Sequence, residues 1–273
     1  MKRIASRDNP HFKALRKLLQ SGRERRKSGL LLLDGMHLVD AYRQRVGIPD
    51  ELLVSDSGAS RAEIAAYLAG AACRTTVVTV LADALFNELT VVDSPSGIMA
   101  VAKPPPPCPL DDSADSVLVD GVQDPGNLGA LLRSAAAAGF RQVLLSADCA
   151  QAWSPKTLRA AMGAHFFLDP HENIDLAAFL AAYRGRTVTT ALSDAHSLYA
   201  IDLTGPLAWV FGSEGQGVRP AVAAATQLRL CIPMPGAVES LNVAAAAAVC
   251  LFETVRQRRA ADASVDPTTV SRR

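Results

Sequence analysis

The sequence predicts an α/β protein with a parallel sheet and two domains, and three observations support this prediction. Short apolar runs, among them residues 207–211 and 228–232, end abruptly in glycine or proline, as buried parallel strands do where they enter loops. These runs alternate with segments of helical periodicity. Residues 103–115 (KPPPPCPLDDSAD) interrupt the alternation, because consecutive prolines join neither a helix nor a central strand. We therefore expect domains at 1–103 and 117–260, a linker at 104–116 and a frayed tail at 261–273.

The first domain is predicted to be a small α/β unit that begins with a helix. Asn9 is a suitable capping residue and Pro10 suits the first helical position, while Phe12, Leu15 and Leu19 recur at helical spacing. The pattern then predicts strands at 30–33, 51–55, 75–80 and 97–102, and helices at 37–46, 61–69 and 81–89.

The second domain repeats strand and helix. Strands are predicted at 117–120, 142–145, 165–168, 187–191, 207–211 and 228–232. Helices are predicted at 128–138, 154–162 and 176–183, and a final helix is expected to be capped by Ser240. The alanine run 244–248 in this last helix would let another helix approach closely.

The composition is that of a soluble globular protein. Of its 273 residues, 49% are hydrophobic, and the formal net charge is +1. The five cysteines form no CxxC pair or Cys/His cluster, so no metal site is predicted. No apolar segment is long enough to span a bilayer, and residues 1–20 lack the apolar core of a signal peptide. We expect a cytoplasmic protein that does not bind membranes.

Positive charge is concentrated at the start of the chain. Residues 1–27 contain ten Lys or Arg residues against Asp8 and Glu24, a net charge of +8. Such a block favours contact with a polyanion, and a solvated basic face is the alternative. The side chains that would contact the polyanion are Lys13, Arg16, Lys17, Arg23, Arg25 and Arg26.

Three loops of the second domain contain residues that could carry chemistry, because loops at the carboxyl ends of parallel strands bind ligands. The first runs from Asp120 through Asn127 and leads to Arg133, whose five donors suit phosphate recognition; an ordinary surface charge is the alternative. The second, residues 212–217 (GSEGQG), contains Glu214, which could cap backbone N–H groups or pair with an arginine. The third, residues 232–243, contains Ser240 and Asn242.

These three segments together resemble the motifs of the SpoU/TrmH-like RNA ribose 2′-O-methyltransferases of the SPOUT class. Asn127-x-Gly129-x-x-x-Arg133 is similar to their first motif, and residues 211–217 (FGSEGQG) are similar to the second. Residues 232–234 (IPM) through 240–243 (SLNV) are similar to the third. Ala244 departs from the family pattern, since many relatives have serine there. The similarity covers residues 117–256, and the front half resembles the smaller RNA-binding domain of many members.

The resemblance implies a C-terminal SPOUT domain with a deep trefoil knot, S-adenosylmethionine as cofactor, RNA as substrate and a homodimer. The cofactor contacts that it implies come from Gly212, Ile232, Leu241, Leu192 and Met234. The implied catalytic residues are Arg133, Asn127, Glu214, Ser240 and Asn242. A ribose 2′-oxygen would attack the methyl group in line, which needs no metal. Arg133 would act either as a base with a strongly shifted pKa or as a fixed cation beside the emerging alkoxide.

Two other functions are open at this point. One is an RNA-binding protein of the same fold without transferase activity. The other is a nucleotide-dependent oxidoreductase, although the chain lacks the GxGxxG fingerprint near a first strand. Among RNA substrates, the separate N-terminal domain favours ribosomal RNA, with transfer RNA next.

Overall fold

The computed structural model describes residues 2–70, 75–213 and 215–265. The chain divides into two compact units. The first unit comprises Met1–Pro106 and Gln151–Phe167, and the second comprises Pro107–Ala150 and Leu168–Arg273. The division falls within the proline-rich stretch, where the sequence predicts a linker. The segment Gln151–Phe167 belongs by its contacts to the first unit, although in the sequence it lies between two strands of the second unit.

The first unit contains a mixed five-stranded sheet with the order β1-β4-β3-β5-β2. Its strands are Lys2–Ile4 (β1), Leu31–Asp34 (β2), Glu51–Ser55 (β3), Val77–Leu81 (β4) and Ile98–Ala102 (β5). Its helices in the N-terminal stretch are Pro10–Gln20 (α1), Gly22–Ser28 (α2), Met36–Arg45 (α3), Asp56–Ala59 (α4), Ala62–Ala69 (α5) and Asp83–Asn87 (α6). β5 runs antiparallel to both β2 and β3, and the other pairs are parallel.

The sheet of the first unit is covered on both faces. Alternate residues of a strand point to opposite faces, so Leu31 and Leu33 pack in one apolar cluster and Leu32 packs in the other. The helix α1 begins as predicted, with the Asn9 side chain accepting from the backbone N–H groups of His11 and Phe12. Its buried stripe is Phe12, Leu15 and Leu18.

The segment Gln151–Phe167 adds a helix, Pro155–Ala161 (α8), to the first unit; Leu158 packs in the same cluster as Leu31 and Leu33. The predicted strand at 165–168 is wrong. Met162 and Gly163 both have positive φ, 50° and 84°, which ends α8, and Ala164–Phe167 form a 3₁₀ helix instead. His165 in this turn is fully buried, and its Nε2 lies 2.7 Å from the carbonyl oxygen of Ala152.

The second unit contains a seven-stranded sheet in which every recorded strand pair is parallel. Its order is β10-β12-β9-β11-β6-β7-β8. The strands are Ser116–Asp120 (β6), Gln142–Leu145 (β7), Asp169–His171 (β8), Arg186–Thr190 (β9), His196–Ser197 (β10), Leu207–Gly212 (β11) and Leu228–Cys231 (β12). The helices are Pro125–Ala137 (α7), Leu176–Ala182 (α9), Pro220–Ala224 (α10) and Val243–Val265 (α11), with a 3₁₀ helix at Leu198–Ala200.

The central strand β11 anchors the core of the second unit. All six of its residues are buried, and the rings of Trp209 and Phe211 stack with centroids 5.8 Å apart. The Trp209 indole N–H donates to the Thr254 hydroxyl at 3.2 Å, which fixes α11 against the sheet. The helix α11 continues to Val265, five residues beyond the point where the sequence predicts fraying. The parallel α/β architecture predicted for this half of the chain is confirmed.

Candidate active site

A cavity of about 810 Å³ lies where three neighbouring strands of the second unit end. Thr190, Gly212 and Cys231, the last residues of β9, β11 and β12, all line it. This is the edge of a parallel sheet at which α/β proteins bind ligands. The lining also contains every residue that the sequence assigned to cofactor binding, together with two of those assigned to catalysis: Gly212, Ile232, Leu241, Leu192, Met234, Ser240 and Asn242.

The first wall of the cavity is a glycine turn that follows β11. The backbone N–H of Ser213 donates to the carbonyl of Gly217, and the N–H of Gly217 donates back to Ser213, at 3.1 and 2.9 Å. This close return explains Gly212, because a Cβ there would stand 2.1 Å from the Gly217 carbonyl carbon. Gly217 adopts a φ of 66°, which favours glycine. Glu214, the predicted catalytic residue in this turn, lies outside the described residues.

The second wall of the cavity is the loop that contains Ile232 and Leu241, and Asn242 connects this loop to α11. Its Oδ1 accepts from the backbone N–H groups of Ala244 and Ala245 at 3.0 and 3.3 Å, so Asn242 is the N-cap of α11. The prediction that Ser240 caps this helix is therefore wrong, since α11 begins at Val243. The same side chain donates from Nδ2 to Oδ1 of Asn127 at 2.9 Å. One amide thus links the third loop to the first turn of α7.

Arg133 lies further along α7, outside the lining of the cavity. It is exposed, on the same helix face as the exposed residues Gly126 and Ala137. No described residue forms a hydrogen bond or ion pair with its guanidinium. It lies six positions after Asn127, about 9 Å along the helix axis. Within one chain, Arg133 is therefore presented to solvent, where a bound macromolecule could meet it.

An ion pair that sequence reasoning missed fixes the glycine turn. The Asp120 side chain is completely buried at the end of β6 and accepts from the backbone N–H and Nε of Arg219, both at 2.8 Å. The same guanidinium reaches Asp148 at 3.2 Å. Since Arg219 lies two residues after the turn, the pair joins this segment to the strand that precedes the Asn127 loop. The signal available in the sequence was an aspartate at the end of an otherwise apolar strand.

The charge of the lining restricts the ligand. Among the described lining residues the only charged side chain is that of Glu239, and neither Lys nor Arg is present. Phosphate groups are bound by Arg or Lys, or by free N–H groups at a helix N-terminus, and Asn242 already caps the start of α11, so this lining disfavours a dinucleotide or a nucleoside triphosphate. A cofactor that carries a positively charged sulfonium and an adenine fits it better. The main-chain N–H and C=O groups of the two turns can match the adenine edge, and Ile232 and Leu241 can pack against its faces.

The predicted RNA-contacting residues lie in α1 and α2 of the first unit. Lys13, Arg16, Lys17, Arg23 and Arg26 are exposed, with ion pairs from Lys13 to Asp8 and from Arg16 to Glu88. Arg25 differs from this expectation, because it is only 8% exposed. Its guanidinium donates to the carbonyls of Leu18 and Leu19 and to Oε1 of Gln151. Arg25 therefore stabilises the first unit and is not available to RNA.

No group of three or more His, Cys, Asp or Glu side chains with metal-binding geometry occurs among the described residues. The helices in that part of the chain are all too short or too polar to cross a membrane.

Comparison with known proteins finds a matching family for each half of the chain. The sequence profile of the SpoU rRNA methylase family matches residues 115–252, and that of an MRM3-like substrate binding domain matches residues 9–100. The 23S rRNA (guanosine(2553)-2′-O)-methyltransferase RlmP of Bacillus subtilis is 34% identical over 255 residues, which cover 92% of this chain and 98% of RlmP.

Solved structures agree over nearly the whole chain. A crystal structure of an RNA 2′-O ribose methyltransferase has a TM-score of 0.80 and 30% identity, covering 94% of this chain and 99% of its own. The SpoU methyltransferase AviRb from Streptomyces viridochromogenes, solved in complex with AdoMet, has a TM-score of 0.80 and 26% identity, covering 92% and 98%. The profile match over half of the chain and the likeness to RlmP over nearly all of it lead to one conclusion. This chain belongs to the SpoU rRNA methylase family.

Proposed function

We propose that this protein is an S-adenosylmethionine-dependent RNA methyltransferase that methylates a ribose 2′-hydroxyl, with ribosomal RNA as its substrate class. The observation that carries the proposal is the convergence of three separate loops. Gly212, Ile232 and Leu241 line one cavity, and Asn242 in that lining is hydrogen-bonded to Asn127 at the start of α7. RlmP, which is similar over nearly the whole chain, acts on a guanosine of 23S rRNA, and this favours ribosomal over transfer RNA.

The residues that would hold the cofactor are those of the two turns. S-adenosylmethionine supplies, when bound, a methyl group activated by a sulfonium. Gly212 keeps the glycine turn closed, because any side chain at this position would collide with Gly217. The Asp120–Arg219 ion pair attaches the residues that follow this turn to the end of β6. Leu192, Met234 and Leu241 give the cavity an apolar surface, and Leu192 is 73% exposed at its mouth.

The residues proposed to act on the RNA are Arg133, Asn127, Ser240, Asn242 and Glu214. Asn242 orients Asn127 through their shared hydrogen bond, and Ser240 presents a hydroxyl within the same lining. Arg133 serves as a fixed cation that stabilises the emerging alkoxide of the ribose, because a guanidinium is almost always protonated and is then a poor base. The alternative, Arg133 as a base with a shifted pKa, would give turnover that rises steeply as the pH approaches that pKa.

The proposal also includes the chain topology, the oligomeric state and the RNA contacts of the first unit. The C-terminal chain forms a trefoil knot, and two copies of the protein form a homodimer. Phe252 supports a dimer, since it is 47% exposed on α11 in line with exposed Ala245, an apolar surface that a second copy would cover. The first unit binds the RNA through Lys13, Arg16, Lys17, Arg23 and Arg26. As an enzyme of ribosomal RNA, the protein is proposed to work in the cytoplasm.

The proposal is tested by incubating the purified protein with ribosomal RNA and methyl-labelled S-adenosylmethionine. The RNA is then digested to nucleosides and analysed by mass spectrometry. We expect label in a 2′-O-methylnucleoside, and the same position should lack the mark in RNA from cells without the gene. RNA binding without label would favour the non-catalytic alternative, and label on a base would contradict ribose methylation.

A further inference from the structure

Glu239 is the one charged side chain in the described lining of the cofactor cavity. Every residue from Val238 to Val243 lines the cavity, and Glu239 lies in this segment, directly before Ser240. Its side chain is exposed, and among the described residues none forms a hydrogen bond or an ion pair with it. The carboxylate is therefore an unpaired negative charge at the wall of a cavity whose other described residues are neutral.

The neighbouring arginines do not neutralise this charge. Arg219, two residues after the glycine turn, already pairs with Asp120 and Asp148. Arg133 lies on α7, outside the lining of the cavity. A carboxylate in this position attracts a positively charged group of a ligand, and the attraction is stronger in a cavity than in bulk water because the effective dielectric constant is lower there.

The cofactor and its product differ in the group to which such a charge responds. S-adenosylhomocysteine has a neutral thioether where S-adenosylmethionine has the methyl sulfonium, and the adenosine, ammonium and carboxylate groups are common to both. Main-chain hydrogen bonds and the apolar contacts of Ile232 and Leu241 therefore bind the two molecules alike. A fixed negative charge distinguishes them, because it attracts the sulfonium and not the thioether.

We infer that Glu239 makes this site selective for the positively charged cofactor over its neutral product. The inference rests on the proposed function, since it takes the cavity as the S-adenosylmethionine site. Glu239 acts on binding and takes no proton from the RNA. Its effect on turnover is that the product dissociates more readily than the cofactor, so that product inhibition is weakened.

Calorimetric titration of the full chain with three ligands tests the inference. The ligands are S-adenosylmethionine, S-adenosylhomocysteine and sinefungin, an unreactive analogue with an ammonium group in place of the methyl sulfonium. In Glu239→Gln we expect the affinity for the two cationic ligands to fall about fivefold, the size of a strong exposed ion pair. The affinity for S-adenosylhomocysteine should stay as in wild type.

Salt gives a second readout of the same charge. Raising the salt from about 0.1 M to about 1 M shortens the screening length from about 10 Å to about 3 Å. The preference of wild type for S-adenosylmethionine over S-adenosylhomocysteine should therefore shrink with salt, and the preference of Glu239→Gln should change less. A wild-type preference that salt leaves unchanged would contradict an exposed charge as its origin.

Glu63→Gln is the matched control, because it removes the same charge from an exposed position of the first unit, outside this cavity. It should bind all three ligands as wild type does. Thermal melts show whether Glu239→Gln has changed the stability of the fold, which would leave the ratio of the ligand affinities unaltered. An equal loss of affinity for all three ligands would place Glu239 against the ammonium group that they share and would overturn the inference, as would unchanged affinities.

The methylation assay separates this inference from the proposed function. Glu239→Gln should raise the KM for S-adenosylmethionine about fivefold. Its kcat should not fall, because Glu239 stabilises the sulfonium of the bound cofactor at least as much as a transition state in which that charge is dispersed. If wild type methylates RNA and Glu239→Gln keeps the wild-type ligand preference, only the role of Glu239 is wrong. If the preference depends on Glu239 but no RNA is methylated, the role of Glu239 stands and the methyltransferase assignment fails.

Discussion

Arg133 is the residue on which the proposed chemistry depends most, and the folded chain leaves its side chain exposed. Replacing it with Lys keeps the positive charge but removes the planar fork of donors. We expect Arg133→Lys to lower kcat by about a hundredfold or more, as loss of one transition-state donor does elsewhere. S-adenosylmethionine affinity should be unchanged, because Arg133 does not line the cavity.

Single-turnover methylation and calorimetry together check this prediction. Arg141→Lys, an exposed arginine outside the three loops, is the matched control and should behave as wild type. Near-normal turnover by Arg133→Lys would remove Arg133 from the mechanism.

His165 gives a stability prediction that does not depend on the function. Its complete burial lowers its pKa from 6.5 to about 4, so the folded protein keeps it neutral. The unfolded chain binds the proton more readily between these values, and stability is therefore lost as the pH falls from 6.5 towards 4. Between pH 7 and pH 5 the loss from this residue should be roughly 2 kcal/mol.

Denaturant unfolding at the two pH values measures this effect. His165→Gln should remove most of the pH dependence, while His171→Gln should keep most of it, since His171 is less buried. An unchanged pH dependence in His165→Gln would show that another group titrates in this range.

The roles of individual side chains were harder to predict from the sequence than the loops and helices that contain them. Ser240 and Asn242 are both good capping residues, and only the start of α11 at Val243 shows that Asn242 is the cap. Arg25 looked like the other basic residues of its segment. Its burial depends on a partner 126 positions away in the chain, Gln151, and no local pattern reveals such a partner.

At the scale of elements, the glycine turn after β11 has no room for an added side chain at Gly212. Gly212→Ala would place a Cβ 2.1 Å from the backbone of Gly217 and force the turn open. Overpacking of this kind costs about 1–3 kcal/mol, and we expect S-adenosylmethionine affinity to fall about tenfold or more.

Gly205→Ala, just before β11, is the matched control. A Cβ at Gly205 would meet no atom within 4 Å, and Gly205 does not line the cavity, so this variant should bind as wild type. Calorimetry gives both affinities, and thermal melts show whether either variant has lost its fold. Equal binding by a folded Gly212→Ala protein would exclude this turn from the cofactor site.

Elements were predicted well where the chain is strongly patterned. The strand Glu51–Ser55 and the strand Gln142–Leu145 have the predicted bounds, and β11 and β12 differ from prediction by one residue each. The prediction failed at 165–168, where an apolar run of strand-like composition follows two residues with positive φ and folds as a 3₁₀ helix. Periodicity also gave no indication that α8 packs in the first unit, because this depends on contacts distant in sequence.

At the scale of the molecule, the basic helices and the cofactor cavity belong to different units and should be separable by mutation. Binding of RNA through exposed lysines and arginines weakens with salt, by roughly 0.7–0.9 in logarithmic slope for each phosphate contact. We expect the triple variant Lys13→Gln, Arg16→Gln and Lys17→Gln to reduce this slope by about 2. S-adenosylmethionine affinity should not change.

Titrations of a structured ribosomal RNA fragment between low and physiological salt measure the slope. Lys103→Gln, an exposed change outside the basic helices, is the control and should leave it within error of wild type. A slope that is the same in the triple variant would show that α1 does not contact the RNA backbone.

The most direct test is a calorimetric titration of the full chain with S-adenosylmethionine and, separately, with NAD⁺. A cavity made of two main-chain turns, with the start of α11 capped by Asn242 and no Lys or Arg among its described lining residues, predicts one S-adenosylmethionine site per chain. It also predicts no measurable binding of the phosphate-bearing NAD⁺. Failure to bind S-adenosylmethionine, or binding of NAD⁺ in its place, would contradict the assignment of this cavity.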